Sequence, residues 1–292
     1  MYELVKITDN NYYINCPANV GIWMCAPDEV WLIDSGSDKD AARKIWKHIT
    51  ENNWTVKGIL ATHSNADHVG GCGLITQRSG CKVYSTAKEK AVIENSELEP
   101  AMVYGGYPPK PLRHKFLMAE SVPCGYISDA EILERIKLVG LPGHYLDMFG
   151  VITPEGVFYC ADAVFSQTVV EKYHINFVYD VGAYLDLLER LPQIDAKWYL
   201  PAHAELCQDI CELARINRNK LLDICRIIKD ICAQAKCFED ILKELFDHFG
   251  LELNFAQYVL SGSSLRSYLA YFLDNGEVEI SFADNKMLWK AL

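Results

Sequence analysis

No apolar run in these 292 residues approaches the roughly 20 needed to cross a bilayer, so a membrane-spanning helix is excluded. The opening residues, Met1-Tyr2-Glu3-Leu4-Val5-Lys6, lack a basic stretch followed by an apolar run, so no export signal is legible and a cytoplasmic location is expected. Positive charge is scarce: 28 Lys and Arg face 39 Asp and Glu, a formal net charge of −11. Such a surface repels phosphate backbones, which argues against nucleic acid as a partner. Lys110, Arg113, His114 and Lys115 form the one compact basic run. There are 11 cysteines but no Cys-x-x-Cys pair. In a chain without an export signal these read as reduced thiols, small and apolar, with Cys207 and Cys211 four apart on one helix face.

Half of the residues are hydrophobic, enough for one large domain or a domain with a smaller companion. Asn11 to Cys16, Val20 to Met24 and Val30 to Asp34 read as strands separated by turns. Asp38 to Thr50 reads as a helix, with Ala41, Ile45, Trp46 and Ile49 on one face. Residues 96–127 carry Pro100, Pro108, Pro109, Pro111 and Pro123 and read as an irregular insert, a length that is usually functional or mobile. Strands resume at Ile136 to Val139, Met148 to Ile152 and Val157 to Cys160, and an aromatic loop follows from Ser166 to Tyr179. Ala204 to Ala235 reads as one long helix, Phe238 to Phe249 as a second, and Phe255 to Leu260 and Ser264 to Leu273 as two more. Val278 to Phe282 and Lys286 to Trp289 flank Asp284-Asn285 as a hairpin.

The densest chemistry lies in Ala61-Thr62-His63-Ser64-Asn65-Ala66-Asp67-His68-Val69-Gly70-Gly71. It follows the apolar run Val56 to Leu60, a buried strand by pattern. A strand end that delivers His63, Asp67 and His68 into one loop can hold a divalent cation, because neutral imidazole and carboxylate are good ligands for zinc and its neighbours.

This segment resembles the signature loop of the metallo-β-lactamase superfamily, His-x-His-x-Asp-His, with Asn65 in place of the second His. Four further segments resemble that family in order: Trp31-Leu32-Ile33-Asp34-Ser35-Gly36, Gly140-Leu141-Pro142-Gly143-His144, Tyr159-Cys160-Ala161-Asp162-Ala163-Val164-Phe165, and Tyr199-Leu200-Pro201-Ala202-His203. The resemblance implies an α+β fold, a four-layer αββα sandwich over residues 1–204, with residues 205–292 as a mainly helical, winged-helix-like region. It implies one metal held by His63, His144 and Asp162, with Asn65 a weak donor or none. A second metal would be held by Asp67, His68 and His203, with Asp162 shared. Zinc is expected, as one or two ions, with manganese or iron as alternatives.

The chemistry implied is hydrolysis of a small ester, thioester, lactone or phosphoester by a metal-bound hydroxide, with Asp67 essential to turnover. Asp34 is expected to orient the signature loop or a ligand His, unless it is an ordinary strand-end turn residue. In the family, inserts at residues 96–127 form part of the substrate wall. Tyr104, Tyr107 and Phe116 are therefore candidate apolar contacts, Arg113 and Lys115 candidate anion binders, and His174 a further candidate. The insert or the C-terminal region is a candidate dimer contact. Two other readings compete: a nuclease or phosphodiesterase acting on RNA or single strands, and a non-catalytic metal-binding protein, which Asn65 keeps open. From Cys237 onward four Lys or Arg stand against nine Asp or Glu, which disfavours DNA binding by the tail.

Overall fold

The computed structural model describes residues 2–292. A seven-stranded sheet runs in chain order through β1 (Glu3–Lys6), β2 (Asn11–Asn15), β3 (Val20–Ala26), β4 (Glu29–Ile33), β5 (Thr55–Leu60), β6 (Lys82–Ser85) and β7 (Cys124–Tyr126). The first four strands pair antiparallel and the rest parallel. Connections explain the switch. Tight turns join β1 to β4, while helices cross between the later strands: α1 (Lys39–Glu51), α2 (Ala66–Val69), α3 (Cys72–Ser79), α4 (Ala87–Glu94) and α5 (Leu98–Tyr104). α1 starts at Asp38, whose carboxylate accepts from the amides of Asp40 and Ala41, and it buries Ala41, Ala42, Ile45 and Ile49.

A second sheet of four strands has the order β11-β10-β9-β8: β8 (Lys137–Gly140), β9 (Phe149–Ile152), β10 (Val157–Phe165) and β11 (Trp198–His203). β10 and β11 are parallel and are joined through α6 (Gln167–Tyr173) and α7 (Val181–Arg190). Between the sheets, Trp23, Trp31, Ile33 and Leu60 meet Phe149, Val151, Tyr159 and Leu200 in one apolar layer. The outer face of the first sheet packs Val20, Ile22, Leu32 and Ile59 against Ile45, Ile49 and Ile75 of the helices. The outer face of the second sheet packs Phe158 and Cys160 against Tyr184 and Leu187. Helices, two sheets and helices again make the expected αββα sandwich.

The C-terminal helices are α8 (Cys211–Ile231), α9 (Phe238–Phe249) and α10 (Phe255–Asp274), followed by the hairpin β12 (Val278–Ala283) and β13 (Lys286–Ala291). Leu221, Ile224, Leu245, Leu265, Phe272, Val278 and Trp289 share one cluster with the second sheet and α7. Among the described residues, no helix is long and apolar enough to cross a membrane.

Three local expectations are corrected. The long helix begins at Cys211 rather than Ala204, because Cys207 first doubles back to exchange both backbone hydrogen bonds with Tyr199. The stretches at Phe255 and Ser264 are one helix: Ser264 sits inside it, bonding Leu260 O and accepting from Val178 N, so its hydroxyl serves packing rather than a turn. The insert is not wholly irregular. It holds α5, β7 and a small core of Val103, Leu112 and Leu117 against Val259 of α10.

Candidate metal centre

β4 and β5 are parallel neighbours, so the residues that follow them emerge side by side at one sheet end. Asp34 there adopts a left-handed backbone, φ +66°, which Asp tolerates better than most residues. Its carboxylate accepts from Thr62 N at 2.8 Å and Thr62 Oγ1 at 2.9 Å, and faces His68 Nδ1 at 2.8 Å. Thr62 Oγ1 lies 3.1 Å from His63 Nδ1. Since that hydroxyl donates to Asp34, it accepts from His63. His144 Nδ1 donates to Phe177 O at 3.2 Å, and His203 Nδ1 to Pro17 O at 2.9 Å. All four imidazoles thus spend Nδ1–H on a fixed acceptor and turn the Nε2 lone pair inward.

Asp162 reaches the same space through a β-bulge. Ala161 has φ +47°, and the register between β10 and β11 shifts on both sides of it. Asp162 Oδ1 lies 3.1 Å from His68 Nε2; Oδ2 lies 3.4 Å from His144 Nε2 and 3.3 Å from His203 Nε2. Asp67 Oδ2 is 3.3 Å from His203 Nε2. Two donor groups result, His63–His144–Asp162 and Asp67–His68–His203, each with its ligand atoms within 4.8 Å of one another.

Burial disfavours charge on every imidazole here. At His63 burial, reinforced by His68, holds the pKa well below the usual range, and burial lowers His144 as well. At His68 the carboxylates of Asp162, Asp67 and Asp34 overcome burial and raise the pKa well above that range. Asp162 and Asp67 overcome burial at His203 too, pushing it up to about 10. Burial opposes the Asp162 anion, yet the facing imidazoles hold it below the usual carboxylate range, and His68 and His203 hold half-exposed Asp67 below that range too. Protons on His68 and His203, or a divalent cation, are alternative ways to balance those carboxylates. His63 Nε2, His68 Nε2 and Asp162 Oδ1 are buried without a hydrogen-bond partner. Lone pairs that converge from imidazole and carboxylate are the donor set a zinc-like cation takes.

Asn65, at the second-His position, sits beside the first group: its Oδ1 is 3.3 Å from His144 Nε2. Replacing Asp34 by Ala frees the His68 ring and Thr62 together. Zinc affinity should fall about 10- to 100-fold, checked by chelator competition; unchanged affinity would make Asp34 an ordinary turn residue.

The other candidates have partners elsewhere. Tyr104 meets Phe255 edge-on at 6.4 Å. Arg113 donates to the hydroxyl of exposed Tyr107 at 2.9 Å. Lys115 binds Asp38 at 2.7 Å, and its ammonium lies over exposed Phe116. His174 stacks on Phe249 at 4.7 Å, and its Nδ1 accepts from Lys220. The rings that do touch the cluster are Phe165, stacked on His203, Phe177 against His144, and Tyr145 against His63.

Two buried glutamates were not identified from sequence. Glu89 accepts from Ser64 N, Ser64 Oγ and Asp147 N, tying the signature loop to the loop of His144. Glu99 accepts from Asn65 Nδ2 at 2.8 Å. Burial raises both carboxyls, Glu99 well above its ordinary value. A Glu in a short helix reads as solvent-facing, so no sequence signal marked either.

The sequence profile of the Metallo-beta-lactamase superfamily matches residues 18–203. A hydroxyacylglutathione hydrolase of a Bradyrhizobium species is 31% identical over 130 residues, covering 44% of this chain and 42% of that protein. Another, from Hahella chejuensis, is 29% identical over 176 residues, covering 59% of this chain and 57% of that one. The chain thus spans about half the length of these curated relatives. Among solved structures, a beta-lactamase domain protein from Burkholderia ambifaria superposes with a TM-score of 0.75 at 16% identity, covering 99% of this chain and 94% of that one. A metallo-beta-lactamase family protein from Thermus thermophilus superposes with 0.68 at 17% identity, covering 99% and 97%. At such identities these two share the fold.

Proposed function

This chain belongs to the metallo-beta-lactamase superfamily, and from that premise we propose that it is a zinc-dependent hydrolase of a small thioester. The observation that carries the reading is the cluster itself: four imidazoles with Nε2 turned inward around two carboxylates, three of the donor atoms buried and otherwise unpaired. When bound, zinc supplies Lewis-acid polarisation of the scissile carbonyl and lowers the pKa of water.

The protein's own groups do the rest. Asp162, 5% exposed at its side chain, stands between the two donor groups. Asp67, 43% exposed, faces the open side, where its carboxylate can orient the attacking water by accepting a hydrogen bond from it. Phe165, Phe177 and Tyr145 wall the cluster and exclude bulk water.

The thioester class is supported by the hydroxyacylglutathione hydrolases to which the chain is similar. The test is a panel of thioesters, oxyesters and phosphodiesters on zinc-loaded protein. At least one thioester of the panel should reach kcat/KM on the order of 10⁴ M⁻¹s⁻¹ or more. Rates on every thioester no higher than with a chelator present would overturn the reading.

A further inference from the structure

We propose that Glu99 is the positioning residue that makes Asn65 a metal ligand, its carboxyl holding the amide so that Oδ1 faces the first donor group. The proposal rests on the metal centre described above.

A side-chain amide has an acceptor end and a donor end, and a half-turn about its last bond exchanges them. Only the oxygen can bind a cation; an NH₂ turned inward would repel it. Asn65 therefore supplies a ligand only if something fixes its orientation. α5 brings Glu99 to that place. Asn65 Nδ2 donates to Glu99 Oε1 at 2.8 Å, which leaves Oδ1 3.3 Å from His144 Nε2. Either protonation state of a carboxyl can accept through Oε1, so the orientation does not depend on the charge of Glu99. An accepted N–H also draws electron density toward Oδ1, which strengthens a donor weaker than imidazole.

Glu99 is 4% exposed, and among the described residues Asn65 is its one hydrogen-bond partner. A carboxyl buried with a single partner is costly, and Leu at this place would pack α5 at less cost. Glu99 lies outside both donor groups, so it acts through Asn65 rather than as a ligand. The insert thus supports the metal centre from behind, a role separate from any contact with substrate.

The experiment is zinc titration of the full-length metal-free protein against a chromophoric chelator, resolving two affinities, with thermal unfolding of the same samples as the folding check. Glu99→Leu should weaken one affinity about 10- to 100-fold and leave the other nearly unchanged. Glu99→Gln keeps an acceptor oxygen and should restore the weakened affinity to within about threefold of the wild type. Asn65→Ala should weaken the same affinity, and Glu99→Leu should then add nothing, as expected for two residues acting as one unit. If Glu99→Leu does not fold, Glu99→Ala makes the same comparison. Wild-type affinities in Glu99→Leu, or a further loss on top of Asn65→Ala, would overturn the role of Glu99 while leaving the hydrolase reading intact. A wild-type protein that takes up no zinc would overturn both.

Discussion

Replacing Asp162 by Ala should break the first donor group and weaken the second. Its carboxylate lies within 3.1 to 3.4 Å of Nε2 on His68, His144 and His203. Its loss leaves the first group with two strong donors, His63 and His144, while the second keeps Asp67, His68 and His203 but loses the shared carboxylate that balances His68 and His203. Removing one partner from a buried, mutually satisfied set costs about 3–5 kcal/mol. If about 4 kcal/mol of that falls on the transition state, hydrolysis drops roughly a thousandfold. Bound zinc should fall to about one ion per chain, since three strong donors are the usual minimum for a catalytic site and only the second group keeps three. Elemental analysis and a thioester assay read the two effects, and circular dichroism shows whether the fold survives. Wild-type zinc content in Asp162→Ala would remove the shared carboxylate from the centre.

The second large effect lies one residue before His144. Gly143 has φ +115°, a conformation that side chains avoid, and an added Cβ would overlap the Cβ and Cα of Tyr184 on α7. The segment cannot retreat, because Gly143 O accepts from the amides of both Tyr179 and Asp180 at 2.9 Å. Gly143→Ala should therefore cost about 4 kcal/mol, combining backbone strain with overpacking, and lower Tm by roughly 10 °C. The affinity of the group that contains His144 should fall with it. Gly140→Ala is the control, since a Cβ there meets nothing within 4 Å. Equal melting of the two variants would show that the loop relaxes freely.

His63, Asp67 and His68 were legible because they follow the apolar, strand-like run Val56 to Leu60, and His144, Asp162 and His203 through the resemblance of their segments to the family's ordered motifs. The pattern that marks a buried strand also marks where its end delivers a side chain. Asp34 was legible for the same reason, and its bond to His68 Nδ1 gives it the orienting position. The hairpin was legible from Asp284-Asn285, which take φ +51° and +58° as a two-residue turn between strands requires.

Other features depend on contacts distant in sequence. Nothing local to Ala161 announces the bulge that turns Asp162 inward. Proline-rich composition hid α5 and β7, because β7 is a strand only through pairing with β6. Glu89 and Glu99 resemble surface residues until tertiary structure closes over them. Arg113 and Lys115 read as free cations, but the fold supplies Tyr107 and Asp38 as their partners.

The most direct measurement is metal content per chain, by elemental analysis of protein purified without chelators or affinity nickel. About two ions per chain are expected, mostly zinc, one for each donor group. No metal, even after zinc is added back and the excess removed, would contradict a metal centre at these residues and with it the hydrolase.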